Sequence, residues 1–132
     1  MPLKYILDTI VWLLMVEKAG STSPAIGRIL HSSDNYPFGL SAISAWEIAQ
    51  KVSLGKLSIS LPIRDWMAKA IRKPFVKIIP LDIDIALEST QLPGSFHNDP
   101  ADQIIVTSAR VNNLTLLAID QKIKEYPNVK AV

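Results

Sequence analysis

Lys4-Tyr5-Ile6-Leu7-Asp8-Thr9, running straight into Ile10-Val11-Trp12-Leu13-Leu14-Met15-Val16, decides the fold class. Lys4 to Leu7 reads as a short buried strand, and the apolar run Ile10 to Val16 is best read as a helix. Asp8, lying between the two, is placed to cap that helix, because a carboxylate there can accept from the N–H groups that a first turn leaves unpaired. The strand therefore feeds directly into a helix. The same alternation recurs downstream. Ser23-Pro24 starts a second helix, Ser as cap and Pro at the first position, running to about His31. Asn35-Tyr36-Pro37 makes a turn into the strand Phe38-Gly39-Leu40. Ser41 to Leu54 carries Ala42, Ala45, Trp46, Ala49 and Val52 at the period of a helix face, and Gly55 is placed to end it. Pro62 to Ala70 predicts a helix, Val76 to Ile79 a strand, Asp82 to Thr90 a helix, and Gln91 to Asn98 an irregular loop. Asp99-Pro100-Ala101-Asp102 opens an apolar helix through Arg110, Leu114 to Ile119 is a strand, and Val129 to Val132 is expected as a last edge strand. Strands alternating with helices predict an α/β domain with a mainly parallel sheet, whose ligands bind outside the carboxyl ends of the strands. Asp8 and Asp120 sit at two such ends.

The chain has 132 residues, which fits one domain spanning 1–132. With 48% hydrophobic and 20% charged residues it carries too much apolar material to stay disordered. The absence of cysteine excludes a disulfide scaffold, a thiolate metal site and a Cys nucleophile. Ile10 to Val16 is far shorter than the roughly 20 residues that span a bilayer, so no membrane segment is expected and a cytoplasmic location is. Fourteen Lys plus Arg against 12 Asp plus Glu is close to balance, so net charge alone does not argue for nucleic acid. Lys51, Lys56, Lys69, Arg72, Lys73 and Lys77 read as solvated faces, and some of them could attract a phosphate backbone. Trp12, Trp46 and Trp66 fall at helical spacing among apolar neighbours, which predicts core or dimer packing rather than base stacking.

Several chemistries fail on the residues. There is no G-x-S-x-G, no P-loop and no G-x-G-x-x-G, and two His without Cys make a zinc site improbable. Oxygen ligands remain. Asp8, Glu47, Asp102 and Asp120 fall at element boundaries or on an otherwise apolar helix. If they converge, their charges repel unless a cation neutralises them, and Mg²⁺ or Mn²⁺ takes carboxylate and water ligands. Such ions support phosphodiester hydrolysis. Each acid also has a plain role: Asp8 and Asp120 as helix caps, Glu47 closing a capping box with Ser44 or pairing with Lys51, Asp102 gaining from the dipole of a helix that Asp99 caps. His97 reads as a surface residue able to touch a substrate. An aspartyl-nucleophile phosphatase also starts with Asp after the first strand, but it wants a second Asp two residues on, where this chain has Ile10; a receiver domain would want paired acids that are absent.

Four stretches together resemble the PIN domain family: Tyr5-Ile6-Leu7-Asp8-Thr9; Ser44-Ala45-Trp46-Glu47-Ile48-Ala49-Gln50-Lys51 with Gly55-Lys56-Leu57; His97-Asn98-Asp99-Pro100-Ala101-Asp102-Gln103; and Leu116-Leu117-Ala118-Ile119-Asp120. The chain is most similar to small members that act as VapC-like toxins of prokaryotic toxin–antitoxin modules. The resemblance implies a three-layer α/β/α sandwich and a Mg²⁺- or Mn²⁺-dependent endoribonuclease that leaves 5′-phosphate and 3′-hydroxyl ends. Its acidic quartet is Asp8, Glu47, Asp102 and Asp120, with Asp99, Thr9 and His97 as accessory residues. It further implies an RNA substrate, a homodimer and an antitoxin partner. Two positions depart from the family: Ala118 stands where Thr or Ser is common, and Gln103 where Arg is frequent. The rival reading is a catalytically weak RNA-binding or autoregulatory module acting with an antitoxin. Asp8→Asn and Asp102→Asn are both expected to abolish cleavage without unfolding the chain, as charges at a polar edge.

Overall fold

A computed structural model describes residues 2–18, 22–72 and 74–132; Lys73 lies outside them. Four strands, β1 (Tyr5–Leu7), β2 (Phe38–Ser41), β3 (Val76–Ile79) and β4 (Thr115–Leu117), form one sheet in the order β3-β2-β1-β4, every pairing parallel. Helices α1 (Thr9–Glu17), α2 (Pro24–His31), α3 (Ala42–Ser53), α4 (Ile63–Ala70), α5 (Ile83–Glu88) and α6 (Pro100–Val111) make the connections, and α7 (Gln121–Lys124) follows the last strand. Parallel strands need such crossovers.

Two-residue alternation divides the core. Ile6 and Leu116 are register partners and enter one buried cluster with Ile105, Val106 and Ile123; Leu7 and Leu117, the next pair, enter the other with Trp12, Ile26 and Trp66. Helices α1, α2 and α4 cover one face and α5, α6 and α7 the other, while α3 supplies Ile48 to one cluster and Ile43 to the other. The result is the expected three-layer sandwich. Because β2 and β3 lie on one side of β1 and β4 on the other, the strand order reverses between β1 and β4, the place beyond whose carboxyl ends open parallel sheets bind ligands.

Local signals placed most boundaries. Ser23 accepts from the Ile26 N–H, Asp82 from Ile85 and Asp99 from Asp102, each capping the helix that follows. Gly55 ends α3 with φ +71°, a left-handed conformation that favours glycine. Three expectations are corrected. Val129 to Val132 is not a full strand: Ala131 makes a single parallel bridge to Leu116. Ser44 and Glu47 do not form a capping box, because Ser41 caps α3 and Ser44 lies inside it, fully buried. Of the core or dimer packing expected of the tryptophans, core packing holds for the fully buried Trp12 and Trp66 but not for Trp46, which is 53% exposed because the buried stripe of α3 runs through Ser44 and Ile48. No described helix is long and apolar enough to cross a membrane.

Candidate active site

Asp8 is where the fold and the candidate chemistry meet. Its backbone N–H donates to the Leu117 carbonyl at 3.0 Å, so the end of β1 is stitched to the end of β4. Its side chain is held at both oxygens: Val11 N–H donates to Oδ1 at 2.7 Å, and Ile119 N–H donates to Oδ2 at 3.2 Å. The first bond caps α1 and the second fixes the loop that carries Asp120. Asp120 in turn accepts from Lys122 N–H at 2.9 Å and starts α7. The plain reading of both acids as helix caps therefore holds, and it leaves room for a second role.

Asp102 stands on the first turn of α6, where Asp99 Oδ1 accepts its N–H at 3.0 Å. His97 Nε2 lies 2.7 Å from Asp102 Oδ2, both side chains 21% exposed. A ligand atom from each of His97, Asp102 and Asp120 falls within 4.8 Å of the others, a grouping able to hold an ion. His97 is thus no free surface residue. Stacked at 4.3 Å on Phe96, it is positioned against the acid it precedes by five residues.

Glu47 enters from α3 on a chain of hydroxyls. Thr9 Oγ1 lies 2.5 Å from Glu47 Oε1 and 2.9 Å from Ser44 Oγ. Thr9 has one hydroxyl proton and the carboxylate can only accept, so Thr9 donates to Glu47 and the fully buried Ser44 donates to Thr9. This relay ties the start of α1 to the middle of α3. Ser44 was expected in a capping box with Glu47 and its contact with Thr9 went unread, because the three-residue spacing has a local explanation whereas the true partner lies 35 residues away.

The electrostatics follow from crowding. Burial pushes the Asp8 carboxyl up to about 6, against its two N–H bonds, with the charges of Asp102 and Asp120 adding to the rise. Burial also raises Glu47 and Asp102; Thr9 and His97 respectively oppose it, and the charge of Asp102 adds to the rise at Glu47. Asp102 is thus the acid coupled by charge to each of Asp8, Glu47 and Asp120, while the grouping of ligand atoms within 4.8 Å of one another takes in His97, Asp102 and Asp120 and leaves Asp8 and Glu47 outside it. A set of oxygen donors with surplus negative charge and one imidazole suits a hard divalent cation. The residues present fit Mg²⁺ or Mn²⁺.

The PIN domain family model matches residues 5–129, every strand and helix of the described residues included. The chain belongs to that family. This PIN domain is 24% identical over 110 residues to ribonuclease VapC22 of Mycobacterium tuberculosis, spanning 83% of this chain and 82% of that protein. Its fold matches the structure of VapBC2 from Rickettsia felis bound to a promoter DNA fragment with a TM-score of 0.70, covering 98% of both chains at 18% identity. DNA-bound VapBC from Salmonella typhimurium gives 0.67, with 98% and 97% coverage at 14% identity. The two departures of this PIN domain have structural roles of their own. Gln103 Nε2 donates to the His97 carbonyl at 3.1 Å, and Ala118 is fully buried in the core.

Apart from Lys51, which lies beside Glu47, two of the basic residues lie elsewhere. Lys69 and Arg72 line a cavity of about 600 Å³ with Lys18, His31, Phe38 and Val76. Phe38 and Val76 begin β2 and β3, so this larger cavity opens at the amino edge of the sheet, across the fold from the acids. Size does not decide the site; the carboxylates do.

Proposed function

We propose that this PIN domain is a metal-dependent endoribonuclease, the toxin of a toxin–antitoxin pair, built as a single domain over residues 1–132. The convergence of Asp8, Glu47, Asp102 and Asp120 at the switch point between β1 and β4 carries the reading, supported by the likeness to ribonuclease VapC22. The likeness to VapBC complexes supports an antitoxin partner, and membership in the family supports a homodimer.

Asp8, Asp102 and Asp120 would hold Mg²⁺ or Mn²⁺. The ion supplies charge that acidifies a water molecule and polarises a phosphoryl oxygen. The chain's own groups do the rest. Glu47, with Oε1 engaged by Thr9, keeps Oε2 free to orient the attacking water. His97 holds the Asp102 carboxylate at one oxygen and leaves the other available. Asp99 keeps Asp102 on an ordered first turn. In-line attack on the phosphorus breaks the bond to the 3′ oxygen of the preceding nucleotide, leaving 3′-hydroxyl and 5′-phosphate ends.

The test is cleavage of a mixed RNA substrate by purified, antitoxin-free protein with Mg²⁺, Mn²⁺ or EDTA, beside Asp102→Asn. Cutting that needs metal and vanishes in the variant is the expected result. RNA binding without cutting under Mn²⁺ would replace the nuclease with a binding module.

A further inference from the structure

Trp46 is the one tryptophan that the fold leaves out, and it stands next to Glu47. It lines a cleft of about 520 Å³ between α3 and the start of α6, together with Ile43, Gln50 and Lys51 from α3 and Pro100 from α6. Glu47 belongs to the lining too, so the cleft is continuous with the acidic site. We propose that this cleft receives a nucleobase of the RNA strand beside the scissile phosphate, stacked on the Trp46 indole. The inference rests on the ribonuclease reading and adds a base-binding subsite to it.

The chemistry of the walls selects the occupant. An indole and a proline ring offer flat apolar surface, and base–aromatic stacking tolerates any base because every base has a π-face. Glu47 and Asp99, both in the lining, repel an anion from the cleft interior but not a neutral base. Lys51, one turn beyond Glu47, supplies the positive charge for an adjoining phosphate. Gln50, one turn beyond Trp46, offers an amide donor and acceptor to a base edge. A strand held at the acids by its phosphate has its neighbouring base within the continuous cleft. Nothing comparable adjoins the acids at the larger cavity, which lies at the other edge of the sheet.

The experiment compares Trp46→Leu and Trp46→Phe in an Asp102→Asn background, so that bound RNA is not cut. A ten-nucleotide mixed-sequence single-stranded RNA and an abasic oligomer of the same length are titrated in Mg²⁺, following indole fluorescence and oligomer anisotropy. Because Trp12 and Trp66 are buried, quenching on binding reports Trp46. The expected result is quenching by RNA, about tenfold weaker binding in Trp46→Leu, near-complete retention in Trp46→Phe, and abasic binding to the Trp46 protein as weak as RNA binding to Trp46→Leu. Equal binding of RNA and abasic oligomer overturns the subsite. So does a loss of self-association in Trp46→Leu with unchanged RNA affinity, which would make the indole an interface between copies. Metal-dependent cutting by the native chain, with kcat/KM unaltered by Trp46→Leu, overturns the subsite and leaves the nuclease standing; neither cutting nor binding of RNA overturns both.

Discussion

Thr9 joins a buried serine to a candidate catalytic glutamate through one hydroxyl, which accepts from the first and donates to the second, so its replacement reads out the relay. Thr9→Val keeps the shape, leaves the Ser44 hydroxyl without an acceptor and frees Glu47 to turn. The expected loss is about 1–3 kcal/mol of stability and about 10- to 100-fold in cleavage, with Thr9→Ser recovering most of both. Denaturant titration and RNA cleavage check this; Thr9→Val at native activity would remove Thr9 from the machinery. The same accounting separates the two aspartates treated alike on sequence grounds. Asp102 is partly exposed, and Asp102→Asn is expected to silence cleavage with the melting temperature nearly unchanged. Asp8 is only 4% exposed with both oxygens bonded, so Asn there presents an amide N–H to the Ile119 N–H. Its variant changes the fold's energetics as well as the charge, a point hidden in the sequence because Ile119 is 111 residues away.

At the scale of elements, caps and stops were legible because their signals are local. Asp99-Pro100, Ser23-Pro24 and Gly55 each act on groups within a few residues, and the structure places each where the pattern did. Core packing of Trp46 and a full strand at 129–132 were misread because burial of a helix face and growth of a sheet edge depend on what packs there from afar; the dimer packing also expected of Trp46 is untouched by its exposure in a single chain. Two variants test the local devices. Gly55→Ala meets nothing within 4 Å, so only the backbone opposes it, at about 1 kcal/mol in denaturant titration with cleavage unaffected. Asp99→Ala removes the cap of α6 and is expected to lower stability by about 1 kcal/mol and cleavage with it, since Asp102 rides on that turn. Asp99→Ser should recover both; recovery of stability alone would make Asp99 a member of the acid site rather than its support.

The whole molecule carries a pH signature. A carboxyl that titrates near 6 when folded and near 3.8 when unfolded binds its proton more tightly in the fold. Protonated Asp8 thus favours folding fully below the unfolded value, and the contribution fades as pH rises through about 6. In EDTA the melting temperature of the native chain is expected to fall across that window by more than that of Asp8→Asn. Mg²⁺ or Mn²⁺ reverses the trend, because binding needs deprotonated carboxylates: the ion should raise the midpoint at about pH 7.5 and scarcely at about pH 5. Equal stabilisation at both would mean that the acids do not share one ion. The architecture that gathers these charges was readable in the alternation of strand and helix, while the imidazole beside Asp102 was not. Asp8, Asp99 and Asp120 each begin a helix, whereas Glu47 and Asp102 cap none. A descendant that gave up cutting would still be selected to keep the first three and would drift at the other two. Across a lineage, then, an aspartate after the first strand is expected to follow the fold, and acids matching Glu47 and Asp102 to follow the proposed cutting, the edge of the blade.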